Sequence, residues 1–213
     1  MTRLSFFVIL VSFLCFACGK QTEIAEVRDG EGNLIEKYTK DSKTNLRNGL
    51  STKYIGKHKV EEANYLNDVL HGERKVFYEN GSVEALENYE NGIFVGPYKS
   101  FYEENNTLKS EGAYVAGNMT GNWKFYYPNG RVKEIVAFKG NEEDGPFEEY
   151  YENGTIKAKG NYKTLEGSVN PNKEHGELEL FDETGTLVKK MNCNYGACVT
   201  TWTKKDGAVK KEE

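Results

Sequence analysis

The chain has 213 residues, 38% of them hydrophobic and 13% aromatic, with a formal charge of −5. That length admits one domain or two small ones, and the modest apolar content suits a thin β-architecture better than a thick globule. No basic stripe exists to displace counterions from phosphates, which excludes nucleic acid as a partner.

Thr2 and Arg3 open the chain and are followed by the apolar run LSFFVILVSFLCFA, 14 residues from Leu4 to Ala17. A spanning helix needs roughly 20 apolar residues, so residues 1–17 read as a secretory signal and carry no fold information. The run ends in Cys15-Phe16-Ala17-Cys18 followed by Gly19, which resembles the lipobox of bacterial lipoproteins. That resemblance implies diacylglycerol on Cys18 and an N-acyl chain, palmitate or similar. Because Gly19 is not an aspartate, it also implies the outer membrane rather than the inner. The alternative is an ordinary signal peptide cut after Ala17. Residues 18–28 are expected to be a lipidated tether, 29–203 a repeat domain and 204–213 a charged tail that frays.

Self-similarity decides the fold class. Asp29 to Tyr38 and Gly49 to Tyr65 look like degenerate copies of a unit that becomes clear at Gly72. It recurs from Gly96, Gly121, Gly145 and Gly176, at intervals of 24, 25, 24 and 31 residues. Each unit carries one turn signal: Asn80-Gly81, Asn105-Asn106, Asn129-Gly130, Asn153-Gly154 and Thr184-Gly185. Two residues tolerant of positive φ predict tight two-residue hairpin turns. An aromatic pair precedes the turn in four units (Phe77-Tyr78, Phe101-Tyr102, Tyr126-Tyr127 and Tyr150-Tyr151), so both faces of the strands carry rings. Apolar residues two positions after the turn (Val83, Leu108, Val132, Ile156, Leu187) and eight positions after it (Tyr89, Tyr114, Phe138, Tyr162) are separated by an even offset, which predicts one shared face. Ala85, Ser110, Gly112, Ala158 and Gly160 lie between them and would let a neighbouring layer or strand approach. The fold class is all-β, an elongated single array of antiparallel hairpins.

The aromatic stripe has two readings: cement between successive hairpins, or an exposed platform. On the second, Trp123, Tyr127, Tyr151, Tyr102 and Tyr78 are the candidate binding residues. Cys193 and Cys198 remain once the signal is gone, and C-N-Y-G-A-C across a tight turn in an oxidising compartment predicts a disulfide, with two free thiols as the alternative. No phosphate loop, nucleophile elbow, metal-binding helix or convergent carboxylate pair stands out, so neither catalytic residues nor a metal nor a cofactor is expected. His71 and His175 fall at the same position in different repeats and cannot share a metal; with His58 they read as exposed turn residues. The irregular stretch Lys163 to Lys173 lengthens one unit and is a candidate contact loop.

The pattern in GNWKFYYPNGRVKEIVAF, Gly121 to Phe138, resembles the MORN-repeat variant found in bacterial proteins filed under the label YwqK-family antitoxin. The likeness runs from about Gly49 to Gly196. It implies an elongated array of antiparallel β-hairpins and a binding role rather than chemistry. The expected function is a non-enzymatic envelope lipoprotein, held to a membrane through its lipid and acting as a repeat scaffold for an envelope protein. A glycan-binding module and an antitoxin or immunity-type protein are the alternatives. Glycan binding requires three or more aromatics exposed on one face.

Overall fold

The structure is a computed structural model describing residues 21–165, 172–205 and 208–211. Residues 1–20, with the signal and Cys18, and 166–171, the centre of the irregular stretch, lie outside the described residues.

Eighteen strands of the described residues form one antiparallel sheet with no helix. In chain order they are β1 (Thr22–Arg28), β2 (Leu34–Asp41), β3 (Arg47–Ile55), β4 (His58–Leu66), β5 (Val69–Phe77), β6 (Val83–Glu90), β7 (Ile93–Phe94), β8 (Gly96–Phe101) and β9 (Leu108–Val115). They continue as β10 (Asn118–Tyr126), β11 (Val132–Lys139), β12 (Glu142–Tyr150), β13 (Ile156–Thr164), β14 (Asn172–Glu174), β15 (Gly176–Phe181), β16 (Leu187–Asn194), β17 (Ala197–Lys205) and β18 (Ala208–Lys211). Each pairs with its sequence neighbours except β7 with β8 and β14 with β15. Two single-residue breaks give β6 both β7 and β8, and β13 both β14 and β15. Ordered sheet extends beyond the expected domain limits at both ends: β1 pairs with β2 inside the expected tether, and the backbone of β18 pairs with β17 inside the expected tail.

Turns gather along two edges, and the tight ones are not where Asn-Gly predicted them. At the Asn-Gly edge, Gly81 N–H donates to the Tyr78 carbonyl at 2.9 Å and Tyr78 N–H to the Ser82 carbonyl at 3.0 Å. This encloses a three-residue loop, repeated at 127–131, 151–155 and 182–186 and, in the first degenerate copy, at 29–33. Only the glycine has positive φ there (Gly81 at 85°). The asparagine instead bonds through its side chain, Asn80 Oδ1 accepting the Ser82 N–H at 2.8 Å. The two-residue turns with both φ values positive lie at the opposite edge: Asn67-Asp68, Asn91-Gly92, Ala116-Gly117, Gly140-Asn141 and Tyr195-Gly196. These are the mirror-image turns that suit twisted strands.

A register shift recurs beside the loops of the Asn-Gly edge, the four-residue loop at 103–106 included, between Val76 and Phe77, Ser100 and Phe101, Phe125 and Tyr126, Glu149 and Tyr150, and Leu180 and Phe181. One extra residue in the partner strand flips its side chains to the other face. Val83, Leu108, Val132, Ile156 and Leu187 therefore pair with Phe77, Phe101, Tyr126, Tyr150 and Phe181. The even-offset expectation of a shared face with Tyr89, Tyr114, Phe138 and Tyr162 is corrected by this bulge.

The core lies on one face of the sheet. Val136, Phe147 and Ala158 are buried with Phe125, Phe138, Tyr162, Leu178 and Leu180 packed against them. What closes over the small residues is a ring from the adjacent strand. Trp123 lies over Gly112, where a Cβ would meet Cδ2 at 2.2 Å, and Phe147 lies over Gly160, where it would meet Cε1 at 3.0 Å. The opposite face carries alternating charge across the strands, with Glu148, Lys159, Glu179 and Lys190 in register and Lys159 Nζ 2.8 Å from Glu179 Oε2.

Candidate functional site

The five aromatic candidates are structural members of the array. Trp123 is 2% exposed. Its ring centre lies 5.5 Å from Tyr98, 5.2 Å from Tyr114, 6.1 Å from Phe138 and 6.4 Å from Phe125, a cluster contributed by four strands. Its Nε1 is buried with no hydrogen-bond partner among the described residues. Such pairs contribute roughly 0.5–1.5 kcal/mol each beyond area burial.

The four tyrosines perform one task four times. Tyr78 Oη donates to the Phe101 carbonyl at 2.8 Å, Tyr102 to Tyr126 at 2.7 Å, Tyr127 to Tyr150 at 2.8 Å and Tyr151 to Phe181 at 2.8 Å. Each hydroxyl ties its own hairpin to the backbone of the next. The asparagines run a parallel set: Asn80 Nδ2 to the Glu103 carbonyl, Asn105 to Pro128, Asn129 to Glu152 and Asn153 to Glu183. The signal was present in the sequence as a Tyr-x-Asn spacing in three units and Tyr-x-x-Asn in the fourth, Tyr102 to Asn105. Its purpose was not legible, because the acceptors are main-chain carbonyls about a full repeat away. Tyr127→Phe, which keeps the ring and removes the bond, is expected to lower stability by about 1 kcal/mol. Urea unfolding monitored by circular dichroism checks it, and an unchanged midpoint would remove the tie.

Every aromatic side chain among the described residues is buried or half-buried. The requirement for a sugar platform, three exposed rings on one face, is not met within them.

The other expected site residues sit as follows. Cys193 and Cys198 face each other directly across β16 and β17 and are joined, with Sγ atoms 2.06 Å apart and Cys193 buried. Cys18 lies outside the described residues. Contrary to the expectation of exposed turn residues, His71 and His175 lie half-buried, His71 in β5 and His175 in the break between β14 and β15. His175 packs on Tyr195 with ring centres 4.7 Å apart. No group of three or more His, Cys, Asp or Glu side chains converges as a metal site among the described residues.

Charge on the aromatic face was not anticipated. Arg74 in β5 reaches Glu61 of β4, with Nε to Oε2 at 2.8 Å, and Glu87 of β6, with Nη1 to Oε2 at 2.6 Å. Lys53 lies 2.8 Å from the other Glu61 oxygen. Burial alone would raise the Glu61 pKa, but hydrogen bonds from Lys53 and Arg74 hold it below the ordinary glutamate value. Farther along the same face Glu134 stands directly opposite Glu149. Its pKa is raised by burial and by the charges of Glu143 and Glu149.

The loops of the Asn-Gly edge, three residues long at 79–81, 152–154 and 183–185 and four at 103–106, present a different chemistry. Glu79, Glu103, Glu104, Glu152 and Glu183 project from one edge of the sheet, all exposed. Among the described residues the carboxylates of Glu103, Glu104, Glu152 and Glu183 form no ion pair, their main-chain carbonyls alone being used by the asparagine ties. Two strands per repeat place successive loops about 10 Å apart. The result is an acidic rim, interrupted at the 127–131 loop, where Pro128 takes the glutamate's place.

Three segments of the chain match the model of the MORN repeat variant: residues 70–91, 119–139 and 143–164. Each is one hairpin, β5–β6, β10–β11 and β12–β13, and each includes a three-residue loop. A search of the curated proteins returns no match. The chain is an array of β-hairpin repeats, three of which match the MORN repeat variant.

Proposed function

We propose that this protein is a non-enzymatic envelope lipoprotein, anchored through Cys18, whose repeat array serves as a scaffold for a protein partner that docks on the acidic rim. The observation that carries this reading is the division of labour among the repeated residues. Aromatics, asparagines and glycines are consumed in joining hairpins, while Glu103, Glu104, Glu152 and Glu183 in the same loops form no ion pair among the described residues. A spaced row of carboxylates suits a partner with matching basic groups, and such complementarity governs orientation and association rate. The apolar run before Cys18 and the residues around it support the envelope placement. Once processed, two or more acyl chains would make the attachment durable.

The test expresses the full chain and a Cys18→Ala version in a Gram-negative host, followed by fractionation and cross-linking in intact cells. The full chain is expected in the membrane fraction with a defined cross-linked protein, and the Cys18→Ala chain outside it. Glu103→Lys combined with Glu104→Lys and Glu152→Lys is expected to abolish the cross-link while leaving the anchor. Both chains remaining in the cytoplasm would sink the envelope reading, and an undiminished cross-link in the charge-reversed chain would sink the rim.

A further inference from the structure

The edge of the sheet opposite the acidic rim is aliphatic, and the chain enters the sheet there. Gln21 stands at that edge, its carbonyl accepting the Ser42 N–H at 3.0 Å beside the 41–46 turn. Cys18 precedes it by three residues, so the residue expected to bear the lipid lies within about 11 Å of this edge, whatever path the chain takes.

Exposed large aliphatic side chains collect on the same side. Ile24 (68% exposed), Leu46, Leu50, Val69 (44%), Ile93 (50%) and Val115 (60%) lie within a few residues of the tight-turn edge. Val69, Ile93 and Val115 pair with Leu66, Glu90 and Asn118, one position out of phase with Tyr65, Tyr89 and Tyr114, and so point away from the aromatic face. The row is built in: Val69 Cγ1 would lie 3.3 Å from a Cβ at Gly92, the turn glycine of the next repeat, and Ile93 Cγ2 holds the same relation to Gly117 at 3.9 Å. Ile24 and Leu50 line one groove with Thr39 between them and Lys37, Tyr38 and Thr52 beside it. At the acidic edge only Val27, Ile35 and Ile55 are comparably exposed.

The row is continuous only in the first half of the array; beyond it Leu165 (40% exposed) and Val199 (70%) stand singly near the same edge. The first residue after the tight turn is Val69, then Ile93, then Asn118, then Glu142. Its apolar length runs from β1 to β9, roughly 30–35 Å at strand spacing. The acidic rim, which an anionic lipid surface repels, points the other way.

From these placements we infer that the first half of the array lies edge-on against the lipid surface, with this aliphatic stripe seated in the headgroup region and the acidic rim held outward. The inference rests on the lipidation of Cys18 proposed above and specifies what that anchor does with the fold attached to it. An acyl chain alone would leave the array free to tumble, whereas the stripe fixes which edge faces a partner.

The experiment uses the lipidated protein, purified from membranes and reconstituted in phosphatidylcholine–phosphatidylglycerol vesicles containing a nitroxide-labelled lipid. An environment-sensitive fluorophore is placed on single cysteines at Val69→Cys or Ile93→Cys, and on Glu103→Cys or Glu152→Cys for the rim. Seating 5–10 Å into the interface is expected to quench the Ile93 probe at least about threefold more than the Glu103 probe. Equal quenching at both edges overturns the seating while the anchor stands, because the protein still floats with the vesicles. A chain that never acquires lipid overturns both readings, and flotation alone reports that outcome.

Discussion

Trp123→Ala is expected to lower the unfolding free energy by about 3–5 kcal/mol, the range for truncating a large buried aromatic. Trp123 is the largest fully buried side chain and links Tyr98 and Tyr114 on one side to Phe125 and Phe138 on the other. In a single-layer repeat array each unit is held only by its neighbours, so losing this contact also weakens coupling between the halves it joins. The same contact is probed from the opposite side by Gly112→Ala. Gly112 does not have positive φ, so alanine meets no backbone penalty and would gain about 0.4–1 kcal/mol through the unfolded state. Its Cβ, however, would lie 2.2–2.6 Å from three indole carbons. Four rings confine that indole, and overpacking of this kind costs about 1–3 kcal/mol. A double mutant with Trp123→Leu should recover most of the Gly112→Ala loss, since the atoms in conflict are gone. Urea titration of the four proteins measures the cycle, and additive losses would mean that the ring does not rest on the glycine.

Arg74→Ala is expected to cost about 3 kcal/mol at neutral pH. The guanidinium bridges two carboxylates whose side chains are only 11% and 12% exposed, and removing it leaves Glu61 and Glu87 facing each other with Lys53 as the one cation in contact with Glu61. Arg74→Lys should lose about half as much, because a point charge cannot serve both oxygens with a planar fork. The pH dependence has a definite sign. Glu61 has a depressed folded-state pKa, so its contribution is present above the ordinary glutamate value of 4.5 and is lost as pH falls through the lower folded value. The gap between wild type and Arg74→Ala should therefore narrow in acid. Thermal unfolding at pH 7 and pH 3 tests this, and a gap that stays constant would place the cost in lost packing of the arginine stem rather than in charge.

The interval between opening glycines, one turn signal per unit and aromatic pairs at fixed positions were enough to read an antiparallel hairpin array from the residues alone. Repetition multiplies a weak local signal, and an array whose units contact only their neighbours has little topology left to decide. The cysteine pair flanking a turn was legible for the same local reason. Three things were not. Asn-Gly at 80–81 looks like a two-residue turn, but the loop length depends on which carbonyl the Tyr78 amide finds, and the tight turns fell instead to less typical pairs such as Ala116-Gly117. The face of Val83 depended on one bulge residue, which no alternation count can detect. The roles of Tyr78, Tyr102, Tyr127, Tyr151 and Trp123 turned on what each ring touches about a repeat away. Sequence determined the local unit and its period, because both follow from backbone preferences within a few residues. Tertiary structure alone decided which aromatics are cement, which carboxylates are unpartnered and which edge carries the aliphatic stripe, because these depend on register between strands and on burial, which exist only once the hairpins have stacked.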